Sequence, residues 1–169
     1  MKAAILAVCS LVLFTVPALA APKKAAMTDQ QFINMAAQTD MVEAHLGQMA
    51  QTTGDSQDVK DYGQMLVTDH TKDFDQLYTL AKSANLTRPD SITAEMNKTM
   101  IAPFEKLKGK AFDKKFVMEM AAGHTKALEV YKMEAKDATN PAVKAYAEAT
   151  LPTLQEHLDK AKELEKAKK

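Results

Sequence analysis

The stretch Thr28-Asp29-Gln30-Gln31-Phe32-Ile33-Asn34-Met35-Ala36-Ala37-Gln38-Thr39-Asp40-Met41-Val42-Glu43-Ala44-His45-Leu46-Gly47-Gln48-Met49 decides the fold. Phe32, Met35, Thr39, Val42, Leu46 and Met49 recur in alternating steps of three and four, the stripe of a helix that buries one face. Thr28 with Gln31 three residues on has capping-box spacing and marks the start. Gly54 marks the end. A second helix is expected from about Ser56 to Ala84, with Val59, Gly63, Leu66, His70, Phe74, Leu77 and Ala81 on one face. The short gap around Gly54 makes the two an antiparallel hairpin.

The same pattern returns in the second half. A third helix is expected from about Ala111 to Lys136, with Val117, Ala121, His124, Leu128, Tyr131 and Ala135 in register. Asn140-Pro141 supplies a cap and a proline at the first helical position of a fourth helix. That helix continues to about Glu165 with Val143, Ala147, Thr150, Leu154, His157, Ala161 and Leu164 on one face, and Pro152 inside it is expected to kink it. Between the hairpins, residues 85–110 form a long connection with a short helix from about Ser91 to Ile101. Phe32 with Met35-Ala36-Ala37 echoes Phe116 with Met120-Ala121-Ala122, and Val59-Lys60-Asp61-Tyr62 echoes Val143-Lys144-Ala145-Tyr146. An all-α, ferritin-like four-helix bundle made of two helical hairpins follows, spanning residues 28–166. Spacing leaves open whether the connection crosses the bundle or turns back at the same end.

The start of the chain reads as an export signal. Met1-Lys2, an apolar run from Ala3 to Phe14, Pro17 and the Ala18-Leu19-Ala20 triplet make the three-part plan, with cleavage expected after Ala20. Residues 21–27 read as a disordered lead-in. No stretch reaches the ~18 apolar residues that a membrane span needs. The only cysteine, Cys9, lies in the signal, so the exported chain is expected to have no disulfide and no thiol nucleophile. Basic and acidic residues balance at 22 each. That balance argues against nucleic acid, whose binders carry a basic excess or stripe. The expected location is the periplasm, with a loose association with the outer membrane left open.

The chemistry lies in where four histidines fall. His70, His124 and His157 stand in the apolar stripes of three different helices, each near the middle, while His45 falls outside its stripe and reads as surface. His124 lies about fifteen residues before the last loop and His157 about eighteen after it, an offset of about 5 Å at 1.5 Å per residue. Glu43 and His70 stand about eleven and sixteen residues from Gly54 in the first hairpin, a looser match within a turn or two, and Ala36, Gly47 and Ala50 leave room around Glu43. One carboxylate and three imidazoles thus converge at mid-height, a donor set that suits one divalent transition metal such as zinc, iron, copper or manganese. Asp69, beside His70, is the candidate outer-shell hydrogen-bond partner. Glu119 and Glu156 point more to the flanks. A buried hydrogen-bonded network of the same residues, holding helix register in a structural or interaction protein, is the alternative reading.

Other chemistries find less support. Di-iron bundles need Glu-x-x-His on two helices, and the residues three before the four histidines are Val42, Val67, Ala121 and Leu154. The methionines, eleven in all, include Met35, Met49, Met65 and Met120 on or beside apolar stripes, where thioethers serve as core filler. Neither haem nor nucleotide is expected, and no serine sits in a Gly-x-Ser-x-Gly turn. Substrate turnover has no residue-level support.

The runs Glu43-Ala44-His45-Leu46-Gly47-Gln48-Met49-Ala50, Val59-Lys60, Met65-Leu66-Val67-Thr68-Asp69-His70, Gly109-x-x-Phe112-Asp113, His124 and Leu151-Pro152-x-Leu154-x-x-His157-Leu158 together resemble the bacterial domain-of-unknown-function family 4142. The resemblance covers about Thr28 to Glu163. It implies an exported protein with a ferritin-like bundle, in a family with members labelled as outer-membrane proteins. It places Glu43, Asp69, His70, His124 and His157 at the family's characteristic positions. Gly123 departs from the pattern, since members often carry an acidic residue before the third-helix histidine. The family has no established activity. Metal handling or envelope stress protection is the role these residues suggest.

Overall fold

The computed structural model describes residues 27–167. The expected signal peptide, the lead-in up to residue 26 and the last two residues lie outside the described residues. Met27 is half-buried and packs against the core.

Four long helices carry the structure: α1 (Asp29–Thr53), α2 (Gln57–Ser83), α4 (Gly109–Asp137) and α5 (Pro141–Ala167). The Thr28 hydroxyl accepts from the Gln31 backbone N–H at 3.2 Å, and the Gln31 side chain accepts from the Thr28 N–H at 2.9 Å, so the capping box forms as the spacing indicates. Asn140 caps the start of α5 by accepting from the Ala142 N–H at 2.8 Å. α5 runs through Pro152 as one helix.

α1 packs along α2, and α4 along α5; the hairpins meet where α1 faces α4 and α2 faces α5. Two polar ties fix their relative direction. Asp29 at the start of α1 accepts from the backbone N–H groups of Thr139 and Asn140, in the loop after α4. Asp113 near the start of α4 accepts from the Asp55 and Ser56 backbone N–H groups, in the loop after α1. α1 is therefore antiparallel to both α2 and α4, and the connection between the hairpins must travel the length of the bundle. It does so along α1: Gln30 bonds with Thr87, and Gln38 with Ser91 and Thr93. The expected single short helix is broken into α3 (Ala94–Met96), a wide π turn over Asn97–Ile101 and a tight 3₁₀ turn over Ala102–Phe104. The Ala102 N–H reaches back five residues to the Asn97 carbonyl, and Pro103 then has no N–H with which to continue an α-helical ladder.

The core is built from the stripes. Phe32 meets Tyr131 and Tyr146 edge to face at one end of the bundle; at the other, Phe112 stacks on Phe116 while Phe104 and Tyr62 meet them edge to face. Each fully buried large apolar side chain contributes about 1.5–3 kcal/mol, so the two clusters anchor the ends and leave the middle free for polar groups.

α1 and α2 come into close backbone contact at Gly47 and Gly63. A Cβ at Gly47 would stand 2.5 Å from the Gly63 carbonyl oxygen, and one at Gly63 would stand 2.7 Å from both the Gly47 oxygen and the Ala50 Cβ. Neither obstacle is a flexible side-chain tip. At Gly123 the nearest atom, Glu43 Oε1, would be at an ordinary 3.5 Å. Gly47→Ala and Gly63→Ala should each destabilise by about 1–3 kcal/mol through overpacking, whereas Gly123→Ala should be neutral or stabilising by up to about 1 kcal/mol from helix propensity. Thermal melts of the three variants check this ordering.

Candidate metal centre

Between the two aromatic ends, the four predicted residues meet. Glu43 stands near the middle of α1, His70 of α2, His124 of α4 and His157 of α5, and each is 7% exposed or less. One nitrogen from each of the three imidazoles lies within 4.8 Å of the other two.

The arrangement follows a single plan: every ring has one nitrogen held from outside and the other turned inward. His70 Nδ1 lies 2.9 Å from Asp40 Oδ1. His124 Nδ1 lies 2.9 Å from the Met120 carbonyl oxygen, one turn back on its own helix. His157 Nε2 lies 2.9 Å from Asp69 Oδ2. A carbonyl or carboxylate oxygen can only accept, so each of these outer nitrogens carries the proton, and in a neutral ring the inner nitrogen is a lone pair. The inner atoms are His70 Nε2, His124 Nε2 and His157 Nδ1, joined by Glu43 Oε2. Their separations are 2.8 Å for His70 to Glu43, 3.2 Å for His124 to Glu43 and 3.1 Å for His124 to His157.

Four acceptors facing one another on buried side chains repel unless positive charge sits among them. Without a metal that charge is a proton, and His70 holds it. Burial works to lower the His70 pKa, but Glu43 and Asp40 on either side outweigh it and push it up to about 10. Burial works to raise Glu43, and the His124 and His70 rings outweigh that and hold its carboxyl at about 2. His157 is driven down to about 4, by burial first and by the neighbouring rings, against the pull of Asp69. Burial pushes Asp40 up to about 7 despite its bond to His70. A proton is an imperfect filler, however. Glu43 Oε2 and His70 Nε2 are at ion-pair distance yet lack the alignment of a hydrogen bond, and both are buried with no hydrogen-bond partner.

The three histidines could hold a transition-metal ion. Adjacent ligands of a tetrahedral ion with bonds of about 2.0–2.1 Å stand about 3.3 Å apart, close to the three separations just given, and the three imidazoles as a set lie within 4.8 Å. Metal-bound histidines donate their second N–H to a carboxylate or carbonyl, as all three rings do. A cleft of about 280 Å³ leads to the cluster, with Thr39, Lys72, Asp73, Tyr131, Tyr146 and Thr153 among its walls. It gives a route in from solvent that a sealed structural core would lack.

Asp69 serves the site differently from the sequence expectation. It reaches across to His157 and not to its chain neighbour His70, because adjacent residues on a helix point about 100° apart. Asp40, which sequence reasoning passed over, is the group that orients His70. A signal for it existed: Ala36, Asp40, Glu43, Gly47 and Ala50 recur in steps of four and three and form a second buried strip beside the apolar one. Asp73 also lies in the cleft and accepts a short hydrogen bond from the Tyr146 hydroxyl. Glu119 and Glu156 are exposed, with Glu119 paired to Lys115, and His45 is exposed as expected.

Two solved structures share this fold. CopM in the Cu(II)-bound form superposes with a TM-score of 0.63 at 14% identity, covering 85% of this chain and 99% of that one. CopM in the Ag-bound form gives a TM-score of 0.62 at 15% identity, covering 81% and 94%. No curated protein sequence matches. The family model titled "Domain of unknown function (DUF4142)" matches residues 14–164, nearly the whole chain, and the chain belongs to that family.

Proposed function

We propose that this protein is a metal-handling bundle that holds one transition-metal ion at mid-height, with Glu43, His70, His124 and His157 as ligands and Asp40 and Asp69 orienting two of the rings. One observation carries the reading: each imidazole is tied on its outer nitrogen, so that three inner nitrogens and one carboxylate oxygen converge on a point that requires positive charge. The three-imidazole, one-carboxylate set suits zinc, copper, iron or manganese. The copper- and silver-bound forms of CopM support metal handling in this fold. The signal-like start at Met1 to Ala20 supports work in the periplasm, where a bundle of this kind would buffer or deliver an ion during envelope stress. No helix among the described residues is long and apolar enough to cross a membrane.

Metal analysis of tag-free protein purified from its own compartment tests the reading. Close to one ion per chain is expected, absent from a Glu43→Ala, His124→Ala double variant that still folds by circular dichroism. If the protein takes up no zinc, copper, iron or manganese even on incubation, the residues form a proton-filled network that holds register, and the metal reading is wrong.

The proton on His70 yields a second expectation. An ion entering the cluster must displace it, because a ligand nitrogen needs its lone pair. Binding near pH 7 should release about one proton per ion, and affinity should rise up to about tenfold per pH unit from 7 toward His70's value of about 10. Calorimetry in buffers of differing ionisation enthalpy measures the released proton. Uptake with no proton release would exclude His70 as a ligand.

A further inference from the structure

His70 has a second approach. A groove of about 360 Å³, walled by α1, α2 and the 90–92 segment of the connection, shares Asp40 and His70 with the central cleft. Met41 and His45 line it from α1 and Asp90 from the connection. Met41 and His45 are four residues apart, which places them side by side on the helix surface. Met27, Met35, Met49, Met65 and Met96 pack against the apolar core and Met120 lies within it, while Met100 and Met118 are exposed. Met41 stands one residue off the apolar stripe and lines the groove together with a histidine. His45 is exposed and takes no part in the central cluster.

A thioether is a soft donor that hard and borderline divalent ions neglect and that monovalent copper or silver prefers; imidazole accepts both kinds. We propose that Met41 and His45 form a second metal site on the wall of this groove, selective for a soft monovalent ion of the copper(I) or silver(I) class, with the Asp90 carboxylate offsetting its charge. The site is chemically distinct from the central one, which has no sulfur donor. It needs neither Glu43 nor His124, so it stands whether or not the central cluster holds an ion.

Silver(I) nitrate titrated into the exported protein in chloride-free buffer provides the test, with methionine methyl and histidine ring resonances followed by NMR. The Met41 methyl and the His45 ring should shift together at the first equivalents of silver, and zinc should leave the Met41 methyl in place. Met41→Leu with His45→Gln should weaken this silver binding at least tenfold and remove one silver ion per chain. His45 is exposed and Met41 half-buried outside the core, so the fold should survive, as circular dichroism will show. The Glu43→Ala, His124→Ala variant should keep the Met41 response, which separates the two sites. Silver binding that leaves Met41 and His45 unmoved, or an unchanged silver count in the double variant, would overturn the proposal.

Discussion

Positive charge at the centre of the bundle is the constraint on which the rest of the site depends. A carboxylate oxygen and three imidazole nitrogens crowd together on buried side chains, Glu43 at 2.8 and 3.2 Å from His70 and His124, and His124 at 3.1 Å from His157. Such a group is stable only with a cation between its members, and the protein makes the demand specific by engaging every outer nitrogen. The Met120 carbonyl, Asp40 and Asp69 each accept one N–H, so no ring can turn to relieve the crowding without breaking a hydrogen bond. Buried polar networks are costly when half satisfied. Here the unaligned Glu43 and His70 pair is the half-satisfied part.

The bundle supplies the rigidity that this crowding needs. Aromatic packing closes both ends, while Gly47 and Gly63 bring α1 and α2 close enough for Glu43 and His70 to face each other at 2.8 Å. Asp113 and Asp29, clasping the loops at opposite ends, hold the hairpins in register along the axis. A slip of one turn, about 5.4 Å, would separate the α1 and α2 donors from those of α4 and α5. The Tyr62 hydroxyl, bonded to the His157 carbonyl, adds a local tie between α2 and α5 at the level of the site.

The likeness to CopM at 14–15% identity speaks to architecture. Four helices with a long crossover can carry many sites, since a bundle core accepts ligands from any facing positions. The chemistry of this chain therefore rests on its own residues: one carboxylate and three oriented imidazoles inside, and a thioether beside an imidazole in an outer groove.

Much of this was legible in the sequence because helical periodicity is local. Alternating steps of three and four, caps at Thr28 and Asn140-Pro141 and a break at Gly54 determine which residues face inward, and that alone placed Glu43, His70, His124 and His157 on buried faces at similar heights. Tertiary structure decided what periodicity cannot express. That the connection crosses the bundle follows from the Asp29 and Asp113 clasps, which join residues about a hundred and about sixty positions apart. That Asp40 serves His70 while Asp69 serves His157 depends on rotation of neighbouring helices about their axes, a matter of how side chains interlock across the interface. Sequence determined the inward set because burial repeats with the helix turn; only packing decided the partners, because hydrogen bonds depend on distances of tenths of an ångström between separate helices.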